Sequence, residues 1–418
     1  MEQVELNKRL QQHKEWLLDN IKGKKADFHD MNLSNMNFKG ANLRNANFDD
    51  TNLSNTNFID ANLTGATFRN ANLRNANLTG TNLVDTYFRN ANFKYANLTR
   101  VVFRNANLIN ANLSNVNFIE VIFDYVNLRN ANLSSTNLSN ANLSNANFSY
   151  ANLSNANFVD TYFSNTTFIE ASLKNANLSG ANLSGANFGS ANLSSANFKN
   201  AILIKANFVN ANLSGANLSS ANLSGANLNY VNLRSATLNY ANLSNANFIE
   251  ANLKNVSLKY ANLSNANFSY AIFNYANLSG ANLFNANFSY VNFMYANLIY
   301  TTNLTNIQCI NTNLSLQCPE EGAFIGFKKC RDDVIIKIQI MEDALRSSAT
   351  TRKCRASKIK VLEIFGAEEA ISVHDENFIY HVGDIKEITN FDKDRWKDCS
   401  AGIHFFITKK EAENYQII

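Results

Sequence analysis

The residues best suited to chemistry crowd into the C-terminal quarter of this 418-residue chain. Between Arg346 and Arg355 stand three arginines (Arg346, Arg352, Arg355), Lys353, Cys354 and four hydroxyl residues. Guanidinium forks and hydroxyls are donors suited to phosphate or carboxylate, so the segment is a candidate anion site, with an exposed basic loop as the plainer alternative. Cys399 and His404 lie close in sequence, with Cys330, Cys354, His374 and His381 elsewhere in the same region. A Cys–His pair becomes a nucleophile when a third group orients the imidazole, and no such group can be named. Zinc sites bring ligands at tight spacings; five cysteines (309, 318, 330, 354, 399) without a CxxC pair indicate reduced thiols in a cytoplasmic setting. The ligand-binding candidates are therefore Arg346, Arg352, Arg355 and His404. No residue is singled out as catalytic or metal-binding, and no cofactor is expected.

What carries this segment is set by an unusual period. Every fifth position from 28 to 298 is Leu or Phe. Two residues before each stands a small residue, usually Ala, and one before it usually Asn, as in Ala141-Asn142-Leu143-Ser144-Asn145. A helix needs apolar residues about 3.6 apart and a strand 2 apart, so five fits neither. The chain must turn once per unit, always in the same sense, for each large residue to reach one axis. One residue is inserted at Thr301; Leu304, Cys309 and Leu314 resume the pattern, which stops before Pro319, the only proline.

Residues 26–316 resemble the pentapeptide-repeat family. The resemblance implies a right-handed quadrilateral β-helix, four units to a coil of 20 residues. Nearly 14 coils at ~4.8 Å each would make an all-β solenoid about 65 Å long. Residues 1–25 predict an amphipathic helix, with Leu6, Leu10, Leu17 and Ile21 on one stripe, that caps the open end of the coil.

From 319 to 418 Asn thins out and charged and β-branched residues return, which predicts a small α+β domain. Strands are expected at Phe324–Phe327, Val334–Ile340, Ile359–Ile364, Phe378–Val382 and Ile403–Ile407, and helices at Glu342–Ser347 and Lys409–Tyr415. Residues 323–415 resemble a domain without assigned activity that follows pentapeptide repeats in phage, bacterial and giant-virus proteins. The matching pieces are Phe324-Ile325-Gly326-Phe327-Lys328-Lys329-Cys330, Arg346 to Thr350, Arg352 to Ala356, and Gly402 to Phe406. That resemblance would put the chain in a host cytoplasm or virion if its source is viral. Gly402-Ile403-His404-Phe405-Phe406, with Glu411 and Tyr415 beyond it, also resembles a strand of ADP-ribosyltransferases. Ile325 stands where those enzymes carry a strand histidine, so the likeness implies the fold without the activity.

Charge bears on one function the resemblance brings to mind. Some pentapeptide-repeat proteins mimic DNA with an acidic rod and inhibit topoisomerases. Residues 26–316 hold 15 Lys and Arg against 11 Asp and Glu, a net +4, which cannot imitate a phosphate backbone. Nucleic acid is not an expected partner. A basic cluster is formed by Arg69 over Arg89 and Arg74 over Lys94, with Arg100 and Arg104 nearby and no acid read as interleaved. Such a cluster suits a phosphate-bearing partner or simply keeps the rod soluble. Tyrosines 20 apart should stack at the other end: Tyr240 with Tyr260, Tyr270 with Tyr290, Tyr275 with Tyr295. They either stabilise the coil or form a docking surface, for a second copy among others.

No apolar run is long enough to span a membrane, and nothing resembles a signal peptide. The reading reached is a non-enzymatic interaction protein, a rigid rod presenting its C-terminal domain to an unidentified protein partner. A nucleotide- or anion-binding, ADP-ribosyltransferase-like module is the alternative, and a topoisomerase inhibitor comes third.

Overall fold

The structure is a computed structural model that describes all residues except 1, 119, 299–300, 304–306, 309–321, 349–352, 395–399, 408 and 416–418. The residue before each inward Leu or Phe makes a parallel bridge with the residue 20 further on, from Asp27–Asn47 and Asn32–Asn52 to Asn282–Thr302. Four units therefore close one coil. The inward residue donates to the coil above, as Phe28 N–H does to the Asn47 carbonyl at 2.8 Å. That coil answers with Asn47 N–H to the Ala26 carbonyl at 3.0 Å. Met31 N–H bonds back to Phe28 O at 3.2 Å and closes the corner. The corner residue has φ near +57°, as at Asp60, and residues before it do not, which is the signature of a type II turn.

Asn explains why the corner holds. In unit after unit its Oδ1 accepts the N–H two residues on, as Asn52 does from Ser54 at 3.2 Å, so the side chain fixes the bend. Its Nδ2 often donates to the Asn one coil away: Asn262 to Asn242 at 3.3 Å, and Asn282 to Asn262 at 3.1 Å. Within the tube, every inward Leu and Phe from 28 to 298 is at most 2% exposed. Phenylalanines one coil apart stack, Phe48 on Phe68 at 4.7 Å, and meet those on the opposite side edge-on, Phe38 against Phe48 at 5.8 Å.

Helix α1 (Gln3–Leu18) lies against the first coil. Leu6 joins the core of the rod and Leu10 packs on it. The Gln3 amide exchanges 3.1 Å bonds with the Asn37 backbone, and Arg9 donates to the Asp27 carbonyl at 3.2 Å. The expected stripe is corrected at its far end: the helix stops at Leu18, and Ile21 is 89% exposed. His13 takes the buried place instead, its Nδ1 accepting the Ala26 N–H at 3.0 Å. Gly23 permits the return, since a Cβ there would lie 1.9 Å from the Trp16 backbone nitrogen.

The inserted residue also falls later than the sequence suggested. Thr302 still pairs 20 residues back with Asn282, and the next bridge, Asn287–Gln308, spans 21, so the extra residue enters after Thr302. Leu304, Cys309 and Leu314 lie outside the described residues.

The C-terminal region is antiparallel throughout: β1 (Phe324–Lys329), β2 (Ile335–Ile340), β3 (Arg346–Ser348), β4 (Cys354–Ala356), β5 (Lys358–Phe365), β6 (Ala370–Ile371), β7 (Ile379–Tyr380), β8 (Ile385–Glu387), β9 (Ile403–Phe405) and α2 (Lys409–Asn414). One sheet runs β1-β2-β5-β8, a second β3-β4-β9, and β6 pairs with β7. Ile336, Ile338, Ile340, Ile359, Val361 and Phe405 form its core. The helix expected at Glu342–Ser347 is a turn followed by β3, because Arg346 pairs with Ala356 and Leu345 N–H is claimed by Ser357 Oγ at 2.8 Å. Cross-strand pairing overrides a weak local helix preference there.

In a stack whose coils touch only their neighbours, damage stays local. Phe188→Ala removes a ring stacked on Phe168 and Phe208 and is expected to cost about 3–5 kcal/mol. Amide exchange should quicken in those coils and stay unchanged near Phe48; uniform quickening along the rod would contradict the packing described.

Candidate functional site

A group of buried polar side chains in the C-terminal domain surrounds a cavity of about 440 Å³. β1 supplies Lys328. Strand alternation turns Gly326 and Lys328 to the buried side of β1, and the absent Cβ at Gly326 admits the Phe405 ring, which a Cβ would meet at 2.6 Å. Lys328 is 5% exposed, its Nζ 3.4 Å from the His404 carbonyl and 5.9 Å over the Tyr380 ring. Burial pushes its pKa below the usual lysine range, with Lys353 reinforcing the shift and Cys330 opposing it.

Lys353, just before β4, is buried as well; its Nζ bonds to the Tyr415 hydroxyl at 3.0 Å. β9 presents His404 between the buried Ile403 and Phe405. Burial, followed by Lys353, Lys328, Arg355 and His374, pushes His404 down to about 3, so its ring is neutral at ordinary pH. Its Nε2 is buried without a partner. His374, also lowered by burial, stands edge-on to it at 6.4 Å. Tyr380, raised by burial and hydrogen-bonded to Ser372, joins Phe378 and Ile388 in the apolar wall, and Ser400 to Ile403 complete the lining. Among the described residues, Asp375 is the only carboxylate of the lining, exposed and accepting the Asn377 N–H at 3.0 Å.

Of the described ligand-binding candidates Arg346, Arg355 and His404, only His404 lines this cavity, together with Lys353 and His374, which the sequence had marked for other reasons. Arg346 is engaged elsewhere, donating to the carbonyls of Met341 at 2.7 Å and Glu342 at 3.2 Å beneath the Phe324 ring. Arg355 is a buried tie: it reaches the carbonyls of Asp392, Asp394 and Ala401 and the hydroxyls of Ser400 and Ser347, and so fixes the segment that leads into β9. Arg352 lies outside the described residues. Lys328, Ser372 and Tyr380 were missed because they stand apart in sequence; a lysine on the apolar side of a strand was the signal available. Cys330 is buried with its thiol pushed up to about 11 by burial, which removes it as a nucleophile. β1 and the end of β9 do lie side by side, Phe327 and Phe406 exchanging bonds of 2.7 and 2.6 Å.

On the rod, the tyrosine pairs stack as expected: Tyr240–Tyr260 at 5.3 Å, Tyr270–Tyr290 at 4.6 Å and Tyr275–Tyr295 at 5.0 Å. The basic cluster is less naked than the sequence implied. Asp49 lies 3.9 Å from Arg69 and Asp124 3.9 Å from Arg104, each one coil away. Arg74 and Lys94 both rest on Tyr95, at 5.5 and 5.0 Å, and Arg89 completes the cluster.

A coil of four five-residue units, carrying a small antiparallel domain with a cationic cavity, defines a four-sided β-helical solenoid. The chain belongs to the pentapeptide-repeat family. It matches the family's repeat region over residues 22–98, and the eight-copy repeat over 86–124, 96–134, 127–165, 156–194, 191–229, 226–259 and 261–298. Residues 314–412 match a family of unknown function (DUF5758). Among solved structures, the chain is similar to the pentapeptide-repeat protein Rfr23 of the cyanobacterium Cyanothece 51142, with 39% identity over 22% of this chain and 62% of that one, TM-score 0.21. HetL of Nostoc sp. PCC 7120, involved in heterocyst differentiation regulation, is 27% identical over 58% of this chain and 86% of its own, TM-score 0.19. QnrB1, a plasmid-mediated fluoroquinolone resistance protein, is 17% identical over 51% and 90%, TM-score 0.24. No curated protein matches the chain. Among the described residues no helix is long and apolar enough to cross a membrane.

The neutral His404 sets a pH dependence. Its folded pKa of about 3 lies below the unfolded value near 6.5, so the unfolded chain binds more protons between those values. This part of the stability is complete above pH 6.5 and is lost as pH falls toward 3. His404→Leu should flatten the fall in C-terminal-domain melting temperature over that window; an unchanged slope would refute the assignment.

Proposed function

We propose that this chain is a non-enzymatic interaction scaffold, a right-handed rod of about 65 Å whose C-terminal end carries a docking face for a second copy. The division we infer is a capping helix over 1–25, the rod over 26–316 and a displayed domain over 319–418, in a cytoplasmic setting. One observation carries the reading. On the side of the rod between two corners, Tyr270, Ile272, Tyr275, Tyr290, Met294 and Tyr295 are all exposed, whereas the coil before them offers Glu250, Asn252, Lys254 and Asn255 there.

These tyrosines are costly where they stand. Tyr270, Tyr275, Tyr290 and Tyr295 have φ between +59° and +63°, a left-handed conformation that Asn and Gly adopt with less strain. Stacking offsets part of that cost, yet Asn at the same corners in earlier coils makes its own ladder, Asn110 to Asn90 at 3.0 Å and Asn75 to Asn55 at 3.2 Å. Exposed rings at strained corners are what a surface needs when large, stiff side chains must be buried by a partner. A flat, repeating side can meet its own copy across a two-fold axis, so one patch serves both subunits. The role of pentapeptide-repeat proteins as structural and interaction proteins supports the same reading.

Sedimentation velocity tests it. The wild-type chain should sediment as a dimer, and the combined Tyr270→Ser, Tyr275→Ser, Tyr290→Ser and Tyr295→Ser chain as a monomer. Each lost stack should cost only about 0.2–1 kcal/mol, so the variant stays folded. A wild-type monomer, or a variant that remains dimeric, would refute the docking face.

A further inference from the structure

We propose that the cavity walled by Lys328, Lys353, His404, Phe378 and Tyr380 binds a small phosphomonoester carrying a flat apolar body. This goes beyond the scaffold reading and stands without it.

Lys328 is the starting point. A buried ammonium is costly unless an anion faces it. Among the described residues, the titratable groups that bear on it are Lys353 and the Cys330 thiol, with no carboxylate. Of the three hydrogens it can donate, one meets the His404 carbonyl, and at 3.4 Å that bond is long. Lys353 brings a second ammonium to the same wall. His404 adds a neutral ring whose buried Nε2 has no partner, and a neutral imidazole can place an N–H toward an oxyanion. The groups facing this corner are thus Lys328 on β1, Lys353 before β4, His404 on β9, and His374 and Tyr380 around β7. Arg355 stands behind Ser400, and Asp375 is exposed.

Donors and size select the ligand class. The three terminal oxygens of a phosphomonoester can accept from Lys328, from the His404 ring and from Lys353 beside its bond to Tyr415, whereas a monocarboxylate has only two oxygens to share among these donors. At about 440 Å³ the cavity falls among ordinary small-molecule sites and has room beyond a phosphate head. Phe378, Ile388 and Tyr380 line that remaining space with apolar surface.

Titration calorimetry on the full chain tests this with phenyl phosphate, inorganic phosphate and phenylacetate. Phenyl phosphate should bind one per chain and tighter than either of the others. Lys328→Met keeps the length and apolar stem and should weaken phenyl phosphate at least about tenfold, the loss expected for one charged hydrogen bond. The wild-type affinity should also fall as pH rises toward the lysine range and at a lower pH than an exposed lysine would give, because only the protonated Lys328 attracts the anion. If Lys328→Met does not fold, Lys353→Met is held to the same tenfold loss. Absence of one-to-one binding, binding unaffected by a folded lysine variant, or phenylacetate binding as tightly as phenyl phosphate would each overturn the proposal.

Discussion

The rod depends on what one asparagine amide can do that a carboxylate cannot. Placed before most inward Leu and Phe residues, its oxygen accepts a backbone N–H two residues on, and its nitrogen can donate to the asparagine below, as Asn72 does to Asn52 at 3.2 Å. Aspartate would keep the first bond and lose the second, and a column of aspartates would set like charges one strand spacing apart. Where Asp27 does occupy this position, at the first coil, Asn47 above donates to it at 2.9 Å and no second carboxylate follows in the column. The choice of asparagine therefore stabilises the stack and leaves its sides nearly neutral. Shape and electrostatic character come from the same atom.

Much of this was legible in advance, because a solenoid repeats its physics every five residues. The inward positions follow from periodicity alone, and stacking of tyrosines 20 apart follows once the coil closes in four units. Features that do not repeat were harder to read. His13 stood outside the stripe of Leu6, Leu10, Leu17 and Ile21, yet it is buried because the Ala26 N–H, at the open edge of the first coil, needs an acceptor. The acids that screen Arg69 and Arg104 sit one coil away, so they are neighbours in space and remote in sequence.

The C-terminal domain shows the same limit more sharply. Its arginines advertised a site, but Arg355 uses its donors to hold the loop that precedes β9, and Arg346 closes a turn. Two arginines of the dense basic segment thus became structural, while its Lys353 joined single residues on β1, on β9 and around β7 to form the cationic cavity. Antiparallel pairing between distant strands created that convergence, and no local pattern records it. The strand alternation of Phe324-Ile325-Gly326-Phe327-Lys328 was readable, with Lys328 on the glycine's side, but not which face would be buried.

The two halves of the chain place their costs differently, and this separates scaffold from site. In the rod, the unit itself satisfies the buried hydroxyls at the small inward position: Thr51 and Thr161 return theirs to the carbonyls of Phe28 at 2.8 Å and Leu138 at 2.9 Å. The strain that remains is outside, at corners where tyrosine replaces asparagine. In the C-terminal domain the unmet demand is inside, in a buried lysine and a neutral histidine turned to one cavity. External strain that would be relieved by a covering surface points to a macromolecular contact. Internal positive charge that would be relieved by a counter-ion points to a small anion. A chain that carries both would join an assembly through the first and take up a small anion through the second.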